Sequence, residues 1–151
     1  DAIRIDGRAL SLDAWQQCRT RDAALTGAIT EPPTEFERET AVAWLAFREA
    51  RVDLAVIECG LGGRLDATNA GERVSLLKLA AIVTPIGLDH QRLLGDTTPA
   101  IATEKAGIFL PRCLTVLAEQ SDIAAYDTLT RIAGQLDCRV GGDCSTDRTA
   151  S

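Results

Sequence analysis

Apolar and polar positions change period several times along the chain, and each change marks an element. Ile3-Arg4-Ile5 followed by Asp6-Gly7-Arg8 reads as a short strand running into a turn. Ser11 then caps a helix over residues 12–25, with Trp15, Cys18 and Leu25 on a weakly apolar face. Pro32-Pro33 breaks the chain. Thr34 caps a stronger helix, and Glu37 three residues on completes a capping box. Phe36, Thr40, Ala43, Trp44 and Phe47 recur there at helical spacing, a stripe that reads first as core. Residues 52–57 are a nearly continuous apolar run, the pattern of a buried parallel strand. A second such run covers 79–83. Thr98 and Pro99 suit the N-cap and first residue of a helix reaching residue 108. A third strand at 114–118, a helix over 121–136 and a short strand at 138–140 complete the order.

Apolar strands alternating with helices predict an α/β fold, a mostly parallel sheet with helices on both faces. In such sheets ligands bind beyond the carboxyl ends of the strands. Glu58 follows the first apolar run, and Asp89-His90 follows the second. Topology alone therefore brings those residues to the ligand-binding edge.

Composition narrows the class. The 151 residues are 46% hydrophobic and 25% charged, which is globular rather than disordered. Aromatics make up only 4%, so the core rests on Leu, Ile, Val and Ala. A net charge of −6 argues against a nucleic-acid partner, which needs a cationic face. No apolar run approaches the roughly 20 residues that span a bilayer, so a membrane partner is not expected. Five scattered cysteines without a Cys-x-x-Cys pair predict reduced thiols in a cytoplasmic protein, not a zinc site or disulfide framework.

Three residues could carry chemistry. Glu58 places a carboxylate at a strand end, where it must be solvated, paired or metal-bound, ahead of Gly60, Gly62 and Gly63. A solvated Glu in an ordinary turn fits the same pattern. His90 is the single histidine, with Asp89 beside it to orient or charge it. Lys105 lies on the predicted helix after Glu104 and before Gly107, where a solvated lysine is the default.

Taken in order, four segments resemble one family. They are Glu58-Cys59-Gly60-Leu61-Gly62-Gly63-Arg64-Leu65-Asp66-Ala67-Thr68-Asn69, Gly87-Leu88-Asp89-His90, Leu94-Gly95, and Ile101-Ala102-Thr103-Glu104-Lys105-Ala106-Gly107-Ile108-Phe109. Together they are similar to the folylpolyglutamate synthase/dihydrofolate synthase family of the Mur ligase superfamily, with 34–37 as a weaker match. The resemblance implies an ATP-dependent ligase that activates a folate or dihydropteroate carboxylate as an acyl phosphate and joins it to L-glutamate. ATP would be the co-substrate and Mg2+ the cofactor, with small molecules as the partners and a monomeric parent.

By motif position, Glu58 resembles a magnesium ligand, His90 the ligand of a second magnesium, and Lys105 a lysine carbamylated by carbon dioxide. Carbamylation would turn a cation into an anionic oxygen donor, which suits magnesium. These three would be both the metal-binding and the catalytic residues. Phe36, Arg64 and Asp66 match positions facing the pterin-bearing substrate, Phe36 by stacking and Asp66 by accepting hydrogen bonds. Core packing for Phe36 and a turn role for Asp66 compete with that reading.

The phosphate-binding loop of such enzymes, a G-x-x-x-x-G-K-[ST] run, does not occur in these residues. Residues 1–143 are therefore expected to be a truncated Mur-ligase-like central domain of P-loop-type architecture, with 144–151 a polar tail. Asp1 in place of methionine, and no methionine anywhere, point the same way. Such a piece would bind ATP weakly and catalyse little by itself. The alternatives are a degenerate binding or scaffold protein that kept the fold, and another Mur-type ligase. Whether the parent adds the first glutamate, extends a polyglutamate tail or does both stays open.

Overall fold

The computed structural model describes residues 3–74 and 78–141, which divide into two compact units at Glu58/Cys59. Residues 142–151, including Cys144 and the whole polar tail expected at 144–151, lie outside the described residues.

The first unit opens with a hairpin. Strand β1 (Arg4–Ile5) pairs antiparallel with β2 (Arg8–Ala9) across Asp6-Gly7. Both turn residues have positive φ, 50° and 75°, the primed turn that Asp-Gly favours. The sequence showed the first strand and the turn; the second strand is too short to leave a pattern. Helix α1 (Leu12–Thr26) starts where expected, with the Ser11 hydroxyl accepting from Ala14 N–H. Helix α2 (Glu35–Ala50) carries the full Thr34/Glu37 capping box, and Arg51 in the left-handed conformation closes it.

The two helices meet through Cys18, Val42 and Ala46, with Trp15 and Leu45 packed around them. The apolar stripe assigned from spacing is therefore offset. Phe36 is 43% exposed and Leu25 faces solvent, while Val42 and Ala46 are the α2 residues buried against Cys18. Arg19 forks onto Glu35 at 2.6 and 3.0 Å, and Arg38 reaches the buried Asp22 at 3.3 Å.

Residues 52–57 correct an expectation. They belong to no ladder, and Leu54 (67%) and Val56 (86%) are exposed. A strand exists only as a member of a pair, and among the described residues none runs beside this segment. Glu58 is consequently exposed.

The second unit contains the parallel sheet β3-β4-β5, formed by Ala80–Val83, Leu114–Leu117 and Arg139–Gly141. The register pairs Val83 with Leu117 and Leu114 with Arg139. Between β3 and β4 lie a short helix α3 (Gln91–Leu94), then α4 (Thr98–Lys105), which tightens into a 3-10 turn at Ala106–Ile108. The cap of α4 is Thr97, one residue earlier than predicted, so Pro99 occupies the second position. Helix α5 (Ile123–Gln135) connects β4 to β5 and is capped by Asp122. The Thr98 hydroxyl donates to the Asp122 carboxylate, and this bond, with the Ala124 N–H, holds that carboxyl below its usual range.

Alternation sets the two sheet faces. Ala81, Val83 and Leu117 pack with Ile101, Ala102, Ala125, Leu129 and Ala133 of α4 and α5. On the opposite face Ile82 and Leu114 are exposed. The α/β class with a parallel sheet is as the sequence predicted. Leu129 has no solvent exposure in this core, so Leu129→Ala should cost about 2–5 kcal/mol. Hydrogen exchange checks this: amides of α5 and β4 should lose protection, and unchanged protection would contradict the packing. Among the described residues, no helix is long and apolar enough to cross a membrane.

Candidate functional site

The glycine-rich segment after Glu58 folds back on itself around one carboxylate. Leu61 N–H donates to Asp66 Oδ2 at 2.8 Å, while Thr68 N–H and hydroxyl donate to Asp66 Oδ1 at 3.0 and 2.5 Å. Asp66 thus organises its own loop, an Asx-type turn in which both carboxylate oxygens are engaged.

That loop is fastened to the carbonyl end of α4. A helix leaves its last carbonyls without partners, and here the loop supplies them. Arg64 N–H donates to Glu104 O at 2.9 Å, and the Asn69 amide donates to Gly107 O at 2.9 Å. The Lys78 ammonium donates to Ile108 O at 2.9 Å and to Asn69 Oδ1 at 3.0 Å. A cation suits the negative end of a helix. The Arg64 guanidinium also forks onto the Glu104 carboxylate at 3.0–3.2 Å. Contact is close because Gly63 and Gly107 lack side chains: a Cβ on Gly63 would lie 2.9 Å from Lys105 O.

Lys105, the last residue of α4, is half-buried beside this junction. Of the residues singled out from the sequence, the structure therefore brings Arg64, Asp66 and Lys105 into one region. Glu104, Lys78, Asn69 and Gly107 hold that region together, and local pattern alone gave none of these roles. The signal lay in the unpaired carbonyls that any helix end must satisfy.

Asp89 and His90 stand at the carboxyl end of β3. His90 has φ 50°, and its N–H donates to Asp89 Oδ1 at 2.7 Å. Its Nε2 lies 3.5 Å from Asp89 Oδ2, with side chains 57% and 83% exposed. Gln120, which the sequence did not single out, sets the start of this loop. Its Oε1 accepts from Ile86 N–H at 2.8 Å, and its amide donates to Ala118 O at 2.8 Å. Glu58 and Phe36 belong to the first unit. Among the described residues, no three His, Cys, Asp or Glu side chains gather as a metal cluster.

No family model matches the chain. Curated relatives do. A probable dihydrofolate synthetase of Schizosaccharomyces pombe is 44% identical over 109 residues, covering 72% of this chain and 25% of the relative. The dihydrofolate synthase/folylpolyglutamate synthase of Haemophilus influenzae is 42% identical over 111 residues, covering 74% and 24%. Among solved structures, the Mycobacterium tuberculosis folylpolyglutamate synthase complexed with ADP and AMPPCP superposes with a TM-score of 0.82. It is 32% identical and covers 94% of this chain and 33% of its own. The chain belongs to the folylpolyglutamate synthase/dihydrofolate synthase family. It spans about a quarter of the length of the curated relatives it matches. E. coli FolC in complex with DHPP and ADP, another member, matches with a TM-score of 0.80 at 31% identity, covering 92% of this chain and 31% of its own.

In this chain the glycine loop through Asn69 and the 101–109 segment are not separate motifs but the two sides of one hydrogen-bonded junction.

Proposed function

We propose that this chain supplies the metal- and substrate-side surface of an ATP-dependent ligase that joins L-glutamate to a folate or dihydropteroate carboxylate through an acyl phosphate. The observation that carries the reading is the junction that fixes the glycine loop on the end of the helix bearing Lys105. A solvated surface lysine needs no such frame; a lysine that must present a modified side chain to a charged substrate does.

Two of the three donors suit magnesium in kind, since it takes oxygen ligands; the imidazole of His90 is the less usual one. Glu58 offers an exposed carboxylate, His90 an exposed imidazole beside the Asp89 carboxylate, and Lys105 an amine that carbon dioxide can convert to an anionic oxygen donor. Magnesium, when bound, neutralises charge on the transferring phosphoryl group. The protein's own part is positional. Asp66 and Arg64 shape the loop, Asp89 orients His90, and exposed Phe36 offers a stacking surface for a pterin ring. Their engagement in the loop makes Arg64 and Asp66 substrate contacts only at their outer edges. ATP as co-substrate is supported by the ADP and AMPPCP complexes of the family's solved structures.

A transplant tests the proposal. The stretch of the Haemophilus influenzae relative that matches this chain is replaced by this chain's residues, and ADP release is followed with glutamate and either dihydropteroate or a reduced folate. Glutamate-dependent turnover with either acceptor is the expected result. A folded chimera that hydrolyses nothing and ligates nothing would refute it.

A further inference from the structure

We propose that Cys113 and Cys138 form a reversible thiol–disulfide site at the amino end of the parallel sheet, closed by exchange with a low-molecular-weight disulfide of the glutathione type. The β4–β5 ladder begins with Leu114 opposite Arg139. Hydrogen bonds continue the alignment upstream, with Arg139 N–H donating to Cys113 O at 3.1 Å and Arg112 N–H donating to Leu136 O at 3.0 Å. Cys113 and Cys138 are therefore neighbours across the ladder, on the face they share with Thr115 and Val140. Adjacent strands run about 4.8 Å apart, inside the roughly 4.4–6.8 Å separation of Cα atoms that a disulfide spans.

A second observation places the sulfur itself. The Cys138 thiol donates to Leu110 O at 3.2 Å, and that same carbonyl accepts the Cys113 N–H at 3.1 Å. The Cys138 sulfur is thus held against the main chain of Cys113. The Cys113 thiol donates to main-chain carbonyls, Leu114 O at 3.3 Å and Lys78 O at 3.7 Å, and the Ala81 N–H also bears on the sulfur. Such bonds are weak and easily given up.

Access sets the order of events. Cys113 is 7% exposed and Cys138 half-buried. Burial, and next the neighbouring Cys138, push the Cys113 thiol up, while the Lys78 ammonium pulls it down. Cys138 reacts first: its thiolate attacks one sulfur of glutathione disulfide, that S–S bond breaks, and one glutathione thiolate leaves. The deprotonated Cys113 sulfur then attacks the Cys138 sulfur of the mixed disulfide and expels the second glutathione thiolate. Two protein thiols are oxidised to one disulfide, the glutathione disulfide is reduced to two thiols, and the two protons released end on glutathione. The new bond closes a loop containing β4 and α5.

The test uses the 151-residue chain, equilibrated in glutathione buffers from reducing to oxidising, alkylated, digested and mapped by mass spectrometry. A Cys113–Cys138 cross-linked peptide should appear under oxidising conditions and disappear with dithiothreitol. Because the second thiol is in place, the wild type should hold less than about a tenth of Cys138 as glutathione adduct. Cys113→Ser should stop at that adduct. Accumulation of the adduct in the wild type, or a scrambled set of pairings involving Cys18 or Cys59, would overturn the proposal. The decisive measurement is on the wild type, so a poorly folded variant does not blunt it.

Discussion

In the transplanted ligase, Lys105→Ala should slow glutamate addition by about 10²–10³-fold, the size of effect seen when one preorganised charge-stabilising group is lost. Acetate or formate added in solution should restore a substantial part of the rate. The reason is chemical. An ammonium is a poor neighbour for magnesium and a good one for phosphate, whereas a carbamate, formed when the amine nitrogen adds to carbon dioxide and releases a proton, is an oxygen ligand. A free carboxylate can stand in the space the shortened side chain leaves and supply the same donor. Lys105→Arg, which fills the space and keeps the charge, should not be rescued. Glu58→Ala should abolish ligation while leaving the fold near intact. If carboxylates fail to rescue Lys105→Ala, the carbamate idea loses its support; if Glu58→Ala turns over normally, the metal assignment does.

Much of the second unit was legible before any coordinates. Strands β3, β4 and β5 and helix α5 fall within a residue or two of where apolar runs and helical spacing placed them, because each buries a face in a local core. Helices α1 and α2 were legible for a different reason, the capping chemistry of Ser11 and of Thr34 with Glu37. Where the reading failed, the missing information was not local. Nothing in residues 52–57 says whether a partner strand runs beside them, and that decides between a strand and an exposed irregular segment. Phe36 fits a helical stripe as well as Val42 does. Which of them faces the neighbouring helix depends on where Cys18 of α1 sits, and the spacing within α2 cannot contain that.

The site shows the same division. Glu58, His90 and Lys105 were singled out by kind and by motif, yet the frame around Lys105 is built from residues with no chemical signature, Asn69, Lys78, Glu104 and Gly107. Their role comes from an accounting requirement: three carbonyls at the end of α4 and its 3-10 turn need donors, and a loop forty residues upstream in Arg64 to Glu104 terms provides them. The cysteines illustrate it again. Sequence spacing separates Cys113 from Cys138, and only the parallel register brings them side by side.

Gly107→Ala should be the most disruptive single-methyl change in the second unit, destabilising it by about 3 kcal/mol. A Cβ at this position would lie 2.3 Å from Arg64 Cβ, 2.4 Å from Arg64 Cα and 2.8 Å from Arg64 N. Those atoms are backbone or fixed to it, so no flexible side chain can swing aside. The loop must lift, which breaks the Arg64 N–H to Glu104 O bond and pulls the Asn69 amide away from Gly107 O. Gly134→Ala is the matched control. It lies in α5 with nothing within 4 Å of an added Cβ, so the same chemical change should stabilise by about 0.5–1 kcal/mol through helix propensity. Chemical unfolding of the two variants should therefore shift in opposite directions. Hydrogen exchange then locates the damage: in Gly107→Ala the amides of Leu61, Arg64 and Thr68 should exchange faster even under conditions where α5 stays protected. Equal protection of those amides in both variants would mean that the loop does not rest on the end of α4, and the frame proposed for Lys105 would fall with it.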